Sequence, residues 1–413
     1  MNSFLTSSRE TVLRLASGQL PKGYKRIRIV LGNETCDLDS AVSTLIQAFS
    51  EHLDGLRSTM VAVIPVMNIF EREYLVKTEV VFYLTRHDVT RDMLTFRDQI
   101  DLKNLAEDVN TKLEVVLVDH HTLRDEDAFL VDSVVKVIDH RPRDPNWLWP
   151  GIETHMEIVG SCATLVGRSF CDKHPEAVDS RISSLLLGPI LIDTCNLSVE
   201  AGRAKEEDFQ MVEKLESIAF PSADDRVARA TEIFREIVEA KADISKLTAD
   251  DLLIKDLKVI AGVPFVGLPI LVENFLGLSD ALKALRNFAE SRKATVVILM
   301  GLEVRSGKLS RDIAVSSFSF SRTHRDITGT VLREKIIKTL MSPELSLELK
   351  LLRQIEEWQI DKWKFEDGTL ILDLYTVGNI RTSRKQIVPF IRNLMNQDET
   401  IATGYRTTHE SLS

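Results

Sequence analysis

IRIVLGNETCDLDSAVSTLIQAFSEHL, from Ile27 to Leu53, is the stretch that decides the fold. Ile27 to Leu31 is a short β-branched run, which is typical of a strand. From Ser40 to Leu53 the apolar residues recur at helical spacing. The sequence therefore predicts a strand, a tight polar loop and a helix at this point.

Two further runs extend the predicted sheet. Leu113 to Val118 (LEVVLV) and Val134 to Ile138 (VVKVI) are almost continuously apolar, as strands covered on both faces are. Ala201 to Ile218 has helical character, and Ala219 to Asp225 (AFPSADD) combines proline, serine and acids as linkers do. We therefore predict an α/β domain over residues 1–218, with a doubly wound, mainly parallel sheet, and a linker at 219–228.

The second half of the chain, residues 229–413, predicts a smaller α+β domain. Its predicted helices are Val331–Met341 and Leu345–Trp358, and its predicted strands are Val259–Gly267, Ala294–Met300 and Arg311–Phe318. Trp363 to Tyr375 is typical of a hairpin, because Asp367-Gly368 suits the positive backbone dihedrals of a tight turn.

Composition and charge narrow the classes of function. The chain has 413 residues, a net charge of -10 and a sequence pI near 5.5, which disfavours general binding to nucleic acids or acidic membranes. Four cysteines without a CxxC pair fit a reducing cytoplasmic setting. The apolar windows are too short for a membrane span. The first twenty residues predict an amphipathic helix rather than a transit peptide.

Acidic residues follow each predicted strand, where open α/β sheets place their ligand crevice. Asp37 and Asp39 follow the first strand, and Asp119-His120-His121 and Asp139-His140-Arg141 follow the next two. A fourth apolar run, LLLGPILI, ends in Asp193.

Each aspartate alone is explained by capping of the next helix. Gathered at one sheet edge, however, Asp37, Asp39, Asp119 and Asp193 would repel one another unless cations or protons intervened. Oxygen ligands with one imidazole favour magnesium or manganese over zinc. The combination therefore predicts a divalent metal site.

The motifs NETCDLDS, VLVDHH, VIDHRP and LIDTCN, in this order, resemble those of the DHH phosphoesterases, which include the manganese-dependent inorganic pyrophosphatases. GSCATLV, from Gly160 to Val166, resembles the segment after the third motif. In detail the chain resembles the Prune and fungal exopolyphosphatases more closely. These carry GNE followed by DxDS in the first motif, and the Prune proteins carry DHRP in the third.

The resemblance implies a set of metal ligands. These are Asp37, Asp39, Asp119, His140 and Asp193, with Asp119 bridging two ions. Asn33 stands where the pyrophosphatases have a histidine ligand, which implies a weaker site and favours Mg²⁺ over Mn²⁺ or Co²⁺. His120 is a candidate substrate-binding residue, which either supports the metal site or is a structural loop histidine.

The resemblance also implies a phosphate-binding set. Arg141 replaces the second histidine of the DHH signature and would contact a substrate phosphate. Ser383-Arg384-Lys385 resembles the SRK signature of the DHH-associated C-terminal domain, and Lys241 resembles that domain's other phosphate-binding lysine. Ser383 would cap the following helix, so that Arg384 and Lys385 lie beside exposed N–H groups. A solvated basic pair is the alternative explanation.

These residues predict a catalytic N-terminal domain and a substrate-binding C-terminal domain that close on short inorganic polyphosphate. A water activated by two metal ions would attack the terminal phosphorus, with Asp119, His140 and Arg141 at the catalytic centre. The alternatives are an inorganic pyrophosphatase, a cyclic-nucleotide phosphodiesterase, or a scaffold protein with little turnover. The sequence leaves chain length, oligomeric state and protein partners open.

Overall fold

The computed structural model describes residues 1–17, 24–55, 61–109, 111–222, 226–305, 308–319, 327–356 and 369–397. The chain divides into two compact units, Met1–Asp243 and Ile244–Ser413. None of the helices within these ranges is both long enough and apolar enough to cross a bilayer.

The first unit is a parallel sheet with helices on both faces. Its elements are α1 (Asn2–Ala16), β1 (Arg26–Leu31), α2 (Leu38–Gly55), β2 (Val61–Val66), α3 (Thr78–Arg86), α4 (Leu102–Glu107), β3 (Lys112–Val118), β4 (Val134–Asp139), β5 (Glu153–Met156), α5 (Cys162–Lys173), α6 (Ser180–Asp193), α7 (Glu206–Ala219) and α8 (Arg226–Ala242). The strand order is β2-β1-β3-β4-β5, and all four pairings are parallel. The predicted fold class is therefore confirmed, and the predicted first helix is α1.

Successive residues of β1 and β3 face two separate cores. Val30 and Val116 pack against α2, α5 and α6, whereas Ile29 and Val115 pack against the side that holds Val12 of α1. This strand order places the topological switch point between β1 and β3, so the loops that follow these two strands flank the crevice. Asp37, Asp39 and Asp119 therefore come from neighbouring loops or helix ends.

Three features of this unit differ from the sequence prediction or were not foreseen by it. The prediction did not include β2 or β5; β5 is a short edge strand whose residues are half-buried or exposed. The apolar run that ends in Asp193 forms helix α6 and not a strand. Because α6 is buried nearly all round, its sequence lacks the polar face that marks most helices.

The boundary between the compact units lies later than the predicted linker at 219–228. Helix α8 follows that segment and buries Ala230, Ile233 and Ile237 in the core of the first unit. The division falls after α8, at Asp243. Pro221 and Ser222 thus lie in a connection between α7 and α8 within one unit.

The second unit contains a mixed sheet. Its elements are α9 (Ala249–Lys255), β6 (Leu257–Ile260), β7 (Val263–Leu268), α10 (Val272–Leu276), α11 (Ala281–Ser291), β8 (Val296–Arg305), β9 (Lys308–Ser319), α12 (Ile327–Leu340), β10 (Leu349–Glu356), β11 (Thr369–Val377) and α13 (Arg384–Gln397). The strand order is β10-β11-β9-β8-β7-β6, in which β7 and β8 are parallel and the other pairs antiparallel. This agrees with the predicted α+β class.

The predicted strand Val259–Gly267 is a hairpin of β6 and β7, whose turn residues Ala261 and Gly262 have φ of 47° and 86°. The helix predicted at Leu345–Trp358 is wrong, because Leu349–Glu356 forms the edge strand β10. Its pairing with β11 outweighs the helix propensity of leucine, lysine and glutamine. The predicted turn at Asp367-Gly368 lies outside the described residues.

Candidate metal centre

Asp119 occupies the first position after β3 and is 1% exposed. Its φ of 61° is a left-handed conformation that few residues other than glycine adopt, and such strain concentrates at functional sites. Its N–H donates to the carbonyl of Ile138 at 2.8 Å, which ties the turn to β4. The side chain of Asn33 donates to Asp119 Oδ2 and, at 3.2 Å, to its carbonyl oxygen.

Asp39 lies in the first turn of α2 and is 3% exposed. Its carboxylate accepts the backbone N–H groups of Cys162 at 2.6 Å and Ala163 at 2.8 Å, and the hydroxyl of Ser43 at 3.1 Å. The two amides belong to the start of α5, where unpaired N–H groups favour an anion. The segment GSCATLV thus supplies the backbone that fixes this carboxylate.

His140 follows β4 and completes a three-residue cluster. Its Nδ1 bonds the carbonyl of Val159 at 3.0 Å, which turns Nε2 toward the acids. Nε2 lies 3.4 Å from Asp119 Oδ1 and 4.0 Å from Asp39 Oδ2. Ligand atoms of Asp39, Asp119 and His140 all lie within 4.8 Å of one another, which suits a metal ion.

Asp37 and Asp193 adjoin this cluster. Asp37 Oδ1 accepts the N–H of Ser40 at 3.1 Å, so Asp37 also caps α2. Asp193 is the last residue of α6. Burial, followed by the charges of Asp39, Asp37 and Asp119, raises the pKa of Asp193 to about 9, which shows that these carboxylates act on one another.

The donor set fits a divalent cation. Burial and then the charge of Asp39 raise the pKa of Asp119 to about 8, and burial also raises the pKa of Asp39. For His140, burial lowers the pKa, but the hydrogen bond to Asp119 and the nearby carboxylates outweigh it and raise the pKa to about 9. Carboxylates gathered in this way suit a hard divalent cation.

Asn33, expected as a weak metal ligand, lies directly beside Asp119. Its Oδ1 accepts the N–H groups of Thr35 at 2.9 Å and Cys36 at 3.1 Å, and its Nδ2 faces Asp119. The oxygen is therefore engaged by the loop, and the group that meets the metal centre is a hydrogen-bond donor. This arrangement makes Asn33 a residue that orients Asp119.

Asp139 is a residue whose role the sequence analysis missed. It is fully buried, and its Oδ1 accepts the N–H groups of His140 at 2.7 Å and Arg141 at 3.3 Å. Its Oδ2 bonds His121 Nδ1, while His121 Nε2 accepts the N–H of Asp144 at 3.0 Å. Asp139 and His121 thus hold the backbone of His140 and Arg141 in place. The sequence feature that could have indicated this role is the similarity of the motifs VDHH and IDHR, each of which places an aspartate before a histidine.

Arg141 and His120 border the cluster. Arg141 Nη2 lies 3.3 Å from Asp119 Oδ1, and its side chain is 48% exposed, so it can reach both the metal centre and solvent. His120 is buried, and its Nδ1 bonds the carbonyl of Val118 at 3.0 Å. Burial lowers the pKa of His120, which favours the neutral ring.

Arg384 and Lys385 form the first two positions of α13 in the second unit. Arg384 is anchored: its Nη2 lies 2.6 Å from Asp256 Oδ1, and its Nη1 donates to the carbonyls of Asp256 at 2.7 Å and Phe265 at 3.3 Å. Lys385 is exposed. Ser383 donates from both its N–H and its hydroxyl to the side-chain oxygen of Gln386, at 2.9 and 2.5 Å.

Lys241, predicted in the second domain, lies near the end of α8, a helix that falls within the first compact unit. Its Nζ is 3.5 Å from Glu79 Oε1, and its carbonyl accepts the hydroxyl of Thr78 at 3.3 Å.

Comparison with known proteins gives three findings. Residues 235–394 match the DHHA2 domain family. The chain is 31% identical over 377 residues to Exopolyphosphatase PRUNE1 of Homo sapiens and 33% identical over 375 residues to its Bos taurus counterpart, each covering 90% of this chain and 76% of the relative. It is 26% identical over 201 residues to the manganese-dependent inorganic pyrophosphatase of Methanothrix thermoacetophila, covering 47% of this chain and 61% of that protein.

Proposed function

The chain belongs to the Prune family of exopolyphosphatases within the DHH phosphoesterases, and from this membership we propose that it is a metal-dependent hydrolase of phosphoanhydrides. The substrate we propose is short inorganic polyphosphate, from which the terminal phosphate is removed. The observation that carries the proposal is the cluster of Asp39, Asp119 and His140.

We assign the metal ligands to Asp37, Asp39, Asp119, His140 and Asp193, with Mg²⁺ as the expected ion and two ions as the expected number. When bound, two divalent ions supply a water of lowered pKa and positive charge at the phosphoryl oxygens. Asp39 and His140 are held for this role by the N-terminus of α5 and by the Val159 carbonyl. Asn33 orients the proposed bridging carboxylate, Asp119.

Arg141 is the proposed contact to the reacting phosphate. Its guanidinium is within 3.3 Å of Asp119 and half-exposed, so a phosphate beside the metal centre comes within its reach. A planar guanidinium can bind two phosphate oxygens at once, which fixes the orientation of the phosphorus for in-line attack. Asp139 and His121 hold the Arg141 backbone in place.

The proposal extends to Arg384, Lys385 and Lys241 as phosphate-binding residues. Lys385 is exposed in the first turn of α13, where backbone N–H groups lack helical partners. Lys385→Gln is expected to raise KM for triphosphate by about tenfold with a smaller change in kcat, since charged hydrogen bonds are lost. Lys338→Gln, an exposed change on α12, is the matched control. An unchanged KM in Lys385→Gln would show that Lys385 does not bind the substrate and is a solvated surface lysine.

A cytoplasmic location is part of the proposal. All four cysteines are free, and three of them are buried, which fits a reducing compartment.

The central test is phosphate release in the presence of Mg²⁺ by wild type, Asp119→Asn and Asp132→Asn. Asp132 is exposed in the same unit and serves as the matched control. We expect Asp119→Asn to lose more than about 100-fold in kcat/KM, because it removes a charge at the centre of the cluster. Equal rates for Asp119→Asn and wild type would indicate contaminating activity and favour the scaffold alternative.

Substrate identity requires a panel of triphosphate, tetraphosphate, pyrophosphate and cyclic AMP. Turnover of triphosphate and tetraphosphate is the expected result. Turnover of pyrophosphate alone would make the protein a pyrophosphatase, and turnover of cyclic AMP alone would make it a phosphodiesterase.

A further inference from the structure

Asp193 occupies an unfavourable position for a carboxylate. It is the last residue of α6, and the unpaired carbonyl groups at the end of a helix concentrate partial negative charge. Its carboxyl group also lies within hydrogen-bonding reach of a second acid, Asp39. Both interactions favour turning the side chain away from the metal centre. Contacts elsewhere in α6 must therefore hold its last turn in place if Asp193 is to bind a metal ion.

The first support lies one turn before Asp193, where the hydrogen-bond ladder of α6 is interrupted. Pro189 has no N–H group, and its ring crowds the preceding turn of the helix. Tyr83 of α3 is fully buried, and its hydroxyl donates to the carbonyl of Ser184 at 2.5 Å and bonds the backbone of Gly188. A proline and a side chain inserted into the ladder are the usual causes of a change in helix direction.

Tyr83 is held firmly at this position. A Cβ at Gly188 would lie 2.3 Å from its ring, so the tyrosine packs directly on the helix backbone. His87, which follows α3, contacts the ring of Tyr83 with centroids 4.5 Å apart, and its Nε2 lies 3.1 Å from the hydroxyl of Ser184. Buried polar contacts thus join the end of α3 to α6, and such networks fix one arrangement of the elements that they connect.

The second support follows Asp193 directly. Cys195, Asn196 and Leu197 have φ of 52°, 57° and 56°, which is a run of three left-handed residues without a glycine. Residues other than glycine adopt this conformation singly and at a cost, and such strain is concentrated at functional sites. The N–H of Asn196 donates to the carbonyl of Leu191 at 2.7 Å, which ties the turn back to α6.

We propose that Tyr83 and the left-handed turn at 195–197 are positioning elements of the metal centre, which together hold the last turn of α6 so that Asp193 faces Asp39. The inference rests on the proposed function, since it takes Asp193 as a metal ligand. Tyr83 acts through the backbone of α6, and Asn196 acts through its own backbone conformation.

The first test is Mn²⁺ binding by the full chain, measured by calorimetry. Tyr83→Phe keeps the ring and removes the hydroxyl, and it is expected to weaken Mn²⁺ binding by about tenfold, as changes behind a metal ligand do. Equal Mn²⁺ affinity of Tyr83→Phe and wild type would overturn the role of Tyr83.

Ser50→Ala is the matched control for Tyr83→Phe. It removes another buried hydroxyl of the same unit, which contacts His174 Nε2 at 3.1 Å. Both variants are expected to lower the unfolding temperature, because each loses a buried hydrogen bond, but Ser50→Ala is expected to bind Mn²⁺ as wild type does. Equal weakening of Mn²⁺ binding by the two variants would show a general effect of lost stability and overturn the role of Tyr83.

A double-mutant cycle shows whether Tyr83 acts through Asp193. Asp193→Asn removes the charge of the proposed ligand and is expected to weaken Mn²⁺ binding. Adding Tyr83→Phe to Asp193→Asn is expected to cause no further loss, because the carboxylate that Tyr83 positions is already absent. Independent losses from the two changes would overturn the inference, as would wild-type Mn²⁺ affinity in Asp193→Asn.

The turn is tested with Asn196→Gly and Asn196→Val. Both remove the side-chain contact to Thr231 Oγ1 at 3.4 Å, but glycine favours a positive φ whereas a β-branched residue resists it. Asn196→Gly is expected to keep Mn²⁺ affinity within about twofold of wild type, and Asn196→Val to weaken it by about tenfold. Equal affinity of the two variants would overturn the role of the turn. This comparison needs no change at Asp193, so it decides the question even if Asp193→Asn abolishes binding.

Phosphate release separates this inference from the proposed function. If Tyr83→Phe and Asn196→Val weaken Mn²⁺ binding but wild type hydrolyses no polyphosphate, the proposed function fails and the positioning roles stand. If wild type hydrolyses triphosphate while both variants bind Mn²⁺ as wild type does, the positioning roles fail and the proposed function stands.

Discussion

At the scale of single residues, Asp119 combines a strained backbone with a costly charge. Its left-handed φ of 61° aims a buried carboxylate at Asp39 and His140, and burial with the charge of Asp39 raises its pKa to about 8. Such a group lowers the stability of the fold unless a cation compensates it. We therefore propose that this side chain serves metal binding rather than packing.

Asp119→Asn is expected to stabilise the protein in EDTA, because an amide of the same shape removes the repulsion from Asp39 and Asp193. A gain of about 1 kcal/mol corresponds to a rise of roughly 2–4 °C in the unfolding temperature. The same variant is expected to lose the further rise that Mn²⁺ gives to wild type. Calorimetric scans with and without Mn²⁺ measure both effects.

Asp132→Asn is the control for this pair of scans and is expected to behave as wild type. If Mn²⁺ raised the unfolding temperature of Asp119→Asn as much as that of wild type, Asp119 would not be a metal ligand.

At the scale of elements, a carboxylate from α7 holds the N-terminus of α5 in place through hydrogen bonds. Asp208 is fully buried and accepts the N–H of Gly160 at 2.7 Å, the hydroxyl of Thr164 at 2.6 Å and the N–H of Lys205 at 2.8 Å. Gly160 is required at this contact, since a Cβ there would lie 2.8 Å from Asp208 and 2.5 Å from Thr194. The contact between α7 and α5 thus fixes the position of the Cys162 and Ala163 amides, which donate to Asp39.

Asp208→Ala is expected to lower the free energy of unfolding by about 2–4 kcal/mol, because three donors lose their acceptor and one of them, the Thr164 hydroxyl, is buried. It is also expected to weaken Mn²⁺ binding by about 10–100-fold, as changes in the residues that support metal ligands do. Urea unfolding and a Mn²⁺ titration check these values. Asp172→Ala, an exposed acid of α5, is the control, and full Mn²⁺ affinity in Asp208→Ala would make its role structural only.

A buried ion network joins α2 to the sheet away from the metal centre. Glu51 of α2 is 3% exposed and contacts Arg28 of β1 and, at 2.5 Å, Lys136 of β4. Burial alone would raise the pKa of Glu51, but Lys136 and Arg28 outweigh it, so the pKa lies below its usual value. Glu51 therefore stabilises the fold when it is ionised.

Glu51→Gln is expected to lower the free energy of unfolding by about 2 kcal/mol at pH 7. The loss is smaller than for a buried charge left without any partner, because Arg28 still pairs with Glu114 and Lys136 with Glu153. A lowered folded-state pKa gives stability that is present above the usual value of about 4.3 and is lost as pH falls. The difference between wild type and variant should therefore shrink below about pH 4.3. Urea unfolding from pH 7 to pH 3.5 measures it, with Glu200→Gln as an exposed control; a constant difference would contradict the ionic explanation.

At the scale of the whole molecule, each compact unit has hydrophobic clusters of its own. The first unit packs apolar side chains against both faces of its parallel sheet, and the second does so around its mixed sheet. The residues proposed as metal ligands, Asp37 to Asp193, all lie in the first unit. Metal binding should therefore be a property of that unit.

Residues 1–243 are expected to fold alone and to bind Mn²⁺ with the affinity of the full chain. Residues 1–222 lack α8, so the loss of buried Ile233 and Ile237 should cost about 4 kcal/mol relative to 1–243. Urea unfolding and Mn²⁺ titration of the two fragments and the full chain test this. Equal stability of the two fragments would favour the boundary at 219–228.

Much of the fold follows from local sequence. Ile27–Leu31 and the helix after it were predictable because neighbouring residues set the apolar periodicity of each element. Leu345–Trp358 was mispredicted because its helix-favouring residues pair with a strand that lies elsewhere in the chain. Asp193 was found as a candidate even though its element, α6, was not recognised as a helix.

The sequence by itself determined the types and order of the chemical groups: carboxylates after apolar runs, an imidazole after β4 and arginines and lysines for phosphate. Only the tertiary structure decided that Asp39 and Asp119, 80 positions apart, meet His140, that Asn33 serves Asp119 as a donor, and that Lys241 belongs to the first unit. Local periodicity reflects interactions between neighbours in the chain. The proposed metal centre instead depends on contacts between distant segments, which form only when the sheet and its helices pack.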